Sequence, residues 1–110
     1  HFSLEAVDRL FNYFDWIKEI ANPNLEIEGI VLTMYEKDSK VTKISERELK
    51  IKYSKYLFNT VIPNTSLLNE STFYGKPLCL FKIDSEGAIA YLNLASEILK
   101  NNIKIEKELI

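Results

Sequence analysis

Leu25-Glu26-Ile27-Glu28-Gly29-Ile30-Val31-Leu32-Thr33-Met34-Tyr35, followed further on by Thr60-Val61-Ile62-Pro63-Asn64, is the sequence whose reading decides the fold. Each segment is an apolar run that ends abruptly in polar or turn residues. Ile30-Val31-Leu32 is continuous and partly β-branched, which is how a strand covered on both faces reads. In open α/β sheets, ligands bind at the carboxyl ends of such strands. The pair points to a nucleotide-binding type of domain. The glycines stand only at 29, 75 and 87, so no glycine-rich phosphate loop can be assembled from them.

Working outward, residues 4–21 read as a helix. Leu4, Val7, Leu10, Phe11, Phe14, Ile17 and Ile20 recur at three- and four-residue steps and define its inner face. Ser3 is its expected N-cap, and Asn22-Pro23-Asn24 ends it. Phe11, Phe14 and nearby Trp16 sit at the spacing of a core stripe. Residues 27–35 form the first strand, and 36–43 a charged loop. Ser45-Glu46-Arg47-Glu48 has the pattern of a capping box, so a second helix is expected from there to about Lys55, with Leu49, Tyr53 and Tyr56 inward. Leu57–Ile62 is the second strand, broken by Pro63-Asn64-Thr65. Ser66 caps a short helical turn to Ser71, Gly75-Lys76-Pro77 is a turn, and Leu78–Phe81 reads as a third strand. Asp84-Ser85 caps a long final helix with Ala88, Tyr91, Leu92, Ala95, Ile98 and Leu99 inward. The tail from Asn101 either extends that helix or frays.

Strands alternating with helices imply a parallel sheet with crossover connections. The expected fold is therefore α/β: one domain over residues 1–110, three-layered, with a mostly parallel sheet and flanking helices. Three strands make a narrow sheet, and an open edge exposes unpaired amides. The chain is then either one part of a larger domain or a piece that associates with itself.

The composition narrows the chemistry. The 110 residues carry a formal net charge of -2, which gives no global attraction to nucleic acid or acidic lipid. Cys79 is the single cysteine, so an intrachain disulfide is impossible. Its apolar neighbours suggest a packed thiol, in keeping with a reducing cytoplasm. With one histidine and one cysteine, the usual zinc sets cannot be built. No metal site and no catalytic residue is assigned. No apolar run approaches a membrane span.

Five segments in order resemble the C-terminal half of the ParA/Soj partition ATPases, relatives of MinD. They are Leu25–Tyr35, Phe58-Asn-Thr-Val-Ile-Pro63, Leu68-Asn-Glu70, Tyr74-Gly-Lys-Pro77 and Ser85-Glu-Gly-Ala-Ile-Ala-Tyr-Leu92. Phe2–Leu10 resembles the helix that precedes the first strand in that family. The resemblance runs from about residue 2 to residue 100 and implies the second half of a P-loop α/β domain. It implies a parent that binds ATP and Mg2+, dimerises, answers to a ParB-type partner and contacts DNA nonspecifically. The deviant Walker A loop and the magnesium-binding aspartate of the family lie in the other half. This chain alone is then expected to be inactive.

What carries over is the base side of the pocket, at Thr33, Met34, Ile62, Pro63 and Asn64. Methionine and proline offer apolar faces to a flat base, while Thr33 and Asn64 offer hydrogen bonds. On the residues alone, Met34 reads as core and Pro63-Asn64 as a plain turn. Glu70 matches an acidic position of the family and would order a loop or a dimer contact. The family often has DNA-binding arginines where this chain has Asp38 and Asn64. Lys37, Lys40 and Lys43 are the candidates to replace the first, with Lys76 or Lys82 at another edge. The alternative function is a non-catalytic dimerisation or protein-interaction module of ParA type.

Overall fold

A computed structural model describes residues 4–109, with side chains through residue 104. The order is α1 (Leu4–Ile20), β1 (Ile30–Tyr35), α2 (Lys40–Tyr53), β2 (Leu57–Pro63), α3 (Ser66–Phe73), α4 (Leu78–Phe81) and α5 (Glu86–Leu109). The expected cap Ser3 lies outside the described residues. The chain forms two compact units. The first runs to Ile30 and resumes over Lys37–Leu57; the second takes Val31–Glu36 and the chain from Phe58 onward.

The sheet has two strands among the described residues. Ile30 N–H donates to Tyr56 O at the strand starts, and Asn64 N–H donates to Tyr35 O at the strand ends. Starts pair with starts and ends with ends, so the strands are parallel, as expected. The expected third strand is corrected: Leu78–Phe81 is α4, a single helical turn. Its apolar run of four residues is too short for periodicity to separate strand from helix. Gly75, with φ 65, turns the chain. Pro77 then enters the turn at φ -59, already suited to helix, and Lys82 N–H closes it on Leu78 O. The α/β character stands with a two-stranded sheet in place of the wider one.

Element starts also moved. α2 begins at Lys40, because Ser39 caps it through a bond from Thr42 N–H. Ser45, expected as the cap, is buried inside the helix with Thr42, Leu49 and Tyr53. The earlier start places those four residues on one face, which the later start would have cut short. α3 is capped by Thr65, not Ser66. Ser85 does cap α5, accepting from Ala88 N–H at 3.2 Å, and α5 continues to Leu109.

In the first unit, α1 and α2 are tied by rings and charges. Phe11 packs on Tyr53 and Tyr56, with ring centroids 4.4 and 5.2 Å apart. Tyr53 hydroxyl donates to Asp8 Oδ1, and Lys52 Nζ lies 2.9 Å from the same oxygen. The hydrogen bond from Lys52, then that from Tyr53, holds the Asp8 carboxyl below its ordinary range. The bond to Asp8 raises Lys52 against the opposing pull of desolvation. The same carboxylate, then desolvation, raises Tyr53. The helix face expected inward is only partly so: Leu10, Ile17 and Ile20 are exposed.

In the second unit, the buried side of α5 is made of small residues. Gly87, Ala88 and Ala90 are buried, whereas Tyr91, Leu92 and Leu99, expected inward, are exposed. A Cβ at Gly87 would stand 2.7 Å from Leu78 Cδ2 and 3.2 Å from Thr65 Cγ2. Close approach at the start of α5 thus depends on the absence of a side chain. Cys79 is half-buried rather than fully packed.

Two outcomes follow. Gly87→Leu should destabilise the chain by about 1–3 kcal/mol through overpacking, read from urea midpoints. Asp8→Asn should lower the melting temperature at neutral pH. In the unsubstituted chain, the Asp8 contribution is present above the ordinary carboxyl pKa and is lost as pH falls through the depressed folded value. The contributions of Lys52 and Tyr53 are present below their ordinary pKa values and are lost as pH rises through the raised ones. Urea midpoints measured across pH should therefore decline less steeply at both extremes in Asp8→Asn.

Candidate functional site at the strand exits

Both strands leave the sheet side by side, joined by the bond from Asn64 N–H to Tyr35 O at 3.1 Å. That bond places the Thr33-Met34 end of β1 beside the Pro63-Asn64 end of β2. Asn64 Nδ2 also donates to Glu36 Oε1 at 3.1 Å, so the side chain bridges the two exits a second time. Thr33 and Asn64 are exposed and Pro63 is half-buried.

Met34 is 65% exposed and has φ 51, the left-handed region. A non-glycine residue there is uncommon and carries a conformational cost. The turned backbone presents the thioether to solvent instead of to the core. The reading of Met34 as core is therefore set aside by its exposure. Ile62, by contrast, is 1% exposed. Its side chain is closed to solvent, so any contact it makes with a bound group runs through its backbone.

The residues at the exits are of mixed polarity. Met34 and Pro63 supply apolar surface, Thr33 a hydroxyl, and Asn64 a carboxamide. Glu36 adds a negative charge at the same place. Neither lysine, arginine nor glycine stands among residues 33–36 or 62–64. Such a lining disfavours a phosphate group and tolerates a neutral ring.

The other candidates lie apart in the chain. Lys37 is exposed in the turn after β1. Lys40 and Lys43 are exposed in the first turn of α2 and three residues apart, so they share one side of the helix. They were expected in a loop and stand on a helix instead. Glu70 is exposed on α3, its carbonyl accepting from Tyr74 N–H. Lys76 and Lys82 are exposed on either side of α4. No group of acidic, histidine or cysteine residues able to hold a metal occurs among the described residues. No helix among them is long and apolar enough to cross a membrane.

One residue was not singled out from the sequence. Glu97, on α5, turns its carboxylate onto β2. Asn59 N–H donates to Oε2 at 2.7 Å, while Thr60 N–H and Thr60 hydroxyl donate to Oε1 at 2.9 and 2.7 Å. Desolvation pushes the carboxyl up, but the bonds from Thr60 and the Asn59 amide outweigh it and leave the pKa below the ordinary range. Local pattern carries no trace of this contact, since the partners are nearly forty residues apart.

No family model matches the chain. It is 31% identical over 102 residues to the chromosome partitioning protein ParA of Myxococcus xanthus, covering 93% of this chain and 36% of that protein. It is 33% identical over 101 residues to the sporulation initiation inhibitor protein Soj of Bacillus subtilis, covering 92% and 40% respectively. With the chromosome-partitioning ATPase Soj of Thermus thermophilus it shares 31% identity over 99 residues, covering 90% and 40%. The chain thus spans about two fifths of the length of these curated relatives. The resemblance expected from the five segments holds over nearly the whole chain.

The left-handed backbone at position 34 has a direct consequence. Met34→Gly should leave the chain as stable or raise its stability by up to about 1 kcal/mol, while Met34→Ile should cost about 1–2 kcal/mol. Thermal unfolding of the two variants checks the contrast; equal effects would remove the strain at this exit.

Proposed function

We infer, from homology to the C-terminal part of ParA/Soj chromosome-partitioning proteins, that this chain serves as the base-binding portion of a ParA/Soj-like ATPase for chromosome or plasmid partitioning. Similarity over about nine tenths of the chain is the observation that carries the reading. The geometry of the exits supports it. Met34 and Pro63 offer apolar faces to adenine, Thr33 and Asn64 hydrogen-bond its edge, and Ile62 supports them from below. ATP and Mg2+ are held at the phosphate end by a segment with a deviant Walker A loop, which no stretch of these 110 residues contains. Hydrolysis belongs to that parent, in the cytoplasm, and a ParB-like partner tunes it. Lys37, Lys40 and Lys43 give a small set of phosphate contacts for nonspecific DNA, each neutralising charge without reading bases.

A second reading is favoured by one observation. Leu10, Tyr13, Trp16, Ile17 and Ile20 are all exposed on α1, and an apolar helix face of that size suits association. On that reading the chain is a non-catalytic ParA-like dimerisation or interaction module.

Calorimetry separates the two. A parent carrying the phosphate loop should bind ATP at least tenfold more tightly than the 110-residue chain, and Met34→Asp in that parent should weaken ATP about tenfold or more without unfolding it. Equal ATP affinity in parent and chain, or indifference to Met34→Asp, would sink the base-side assignment. A parent that neither binds nor hydrolyses ATP would favour the interaction module.

A further inference from the structure

The second strand has a partner on one side only among the described residues. The other side of an edge strand normally displays free N–H groups, ready to pair with a strand from another molecule. Here the middle of that edge is taken. Both the Asn59 and the Thr60 amides donate to the Glu97 carboxylate, and the Thr60 hydroxyl adds a third bond.

The convergence is not what a regular strand offers. Successive amides of a strand point to opposite edges. Two consecutive amides aimed at one carboxylate require the backbone to turn locally at Asn59-Thr60. Tyr56 O and Asn64 N–H both face β1, so β2 keeps its alternation on either side of that turn, and the one-residue register difference between the strands falls in β1, where Met34 has φ 51.

We propose that Glu97 is an edge guard: its carboxylate occupies the outward amides of β2 and so excludes β2 of a second copy of this chain from pairing there. The ligand that Glu97 displaces is thus a strand, and the carboxylate imitates the carbonyl oxygens such a strand would bring. A carboxylate does this better than a carbonyl, because charge-assisted bonds are shorter and stronger than neutral ones. Only a side chain from α5 is needed, so the edge is closed without another strand. The inference is independent of nucleotide binding.

Glu97→Gln tests it in the 110-residue chain. Glutamine keeps the length and helix propensity of glutamate but presents an NH2 group to one of the amides. Hydrogen exchange at Asn59 and Thr60 should quicken about tenfold or more, while exchange at Leu49 in α2 stays unchanged. Sedimentation should show concentration-dependent association beyond that of the unsubstituted 110-residue chain. Adding Asn59→Pro, which deletes one outward donor, should reverse that association. Unchanged exchange at Asn59 and Thr60, or association that Asn59→Pro leaves intact, overturns the proposal. If Glu97→Gln loses its helical signal, Thr60→Val takes its place: it removes only the hydroxyl bond and should quicken exchange at Asn59 and Thr60 several-fold, and no change there overturns the proposal equally.

Discussion

A parallel pair of short strands cannot satisfy its own backbone. Each strand has two hydrogen-bonding edges, and pairing with one neighbour settles only one of them. In this chain the second edge of β2 is settled in part by a carboxylate from α5. That choice has consequences along the strand. The carboxylate holds Asn59 and Thr60 at the middle, and Asn64 is held to Tyr35 at the end. The exit carrying Pro63 and Asn64 therefore hangs from a strand fixed at two points. A site made of strand ends is only as well placed as the strands beneath it.

Apolar packing alone would hold this chain weakly. Leu49 and Ile62 are the large side chains fully buried among the described residues, one in each unit. Each unit accordingly adds a polar lock of its own. The first sets Asp8 against Lys52 and Tyr53. The second sets Glu97 against Asn59 and Thr60. Both locks place one carboxylate against several donors on a different element, and both carboxyls are driven below their ordinary pKa. Removing such a carboxylate loses several bonds at once, while the exposed donors Lys52 and Asn59 are left to water. The protonation state of two side chains thereby enters the stability of elements distant in sequence.

Much of the fold was legible in the sequence, and the failures have physical causes. α1 and α5 were visible because apolar periodicity accumulates over many turns. β1 and β2 were visible through dense β-branched runs ended by turn residues. Leu78–Phe81 was misread because four apolar residues contain no period, and the backbone of Pro77 decided the matter locally. The start of α2 was misplaced because Ser39 and Ser45 both have the chemistry of a cap, and burial of Thr42 and Ser45 selected the first. The adjacency of the two strand ends was legible, since the Tyr35–Asn64 bond joins them. The left-handed turn at Met34 was not, because methionine gives no sign of positive φ. Glu97 was missed for a different reason: a contact spanning so much sequence has no local signature at all.

Charge divides the chemistry at the exits. A nucleotide pocket needs two unlike walls. One offsets several negative charges with backbone N–H groups, lysines and glycines that allow close approach. The other receives an uncharged aromatic ring on apolar faces with a few hydrogen bonds. Residues 33–36 and 62–64 contain no cation and no glycine, and they include Glu36, whose carboxylate is drawn to the exit by Asn64. A negative charge at that position repels phosphate and leaves a neutral ring unaffected. On the proposed reading these exits face the base of a nucleotide, and the groups that neutralise its phosphates are contributed by a different segment.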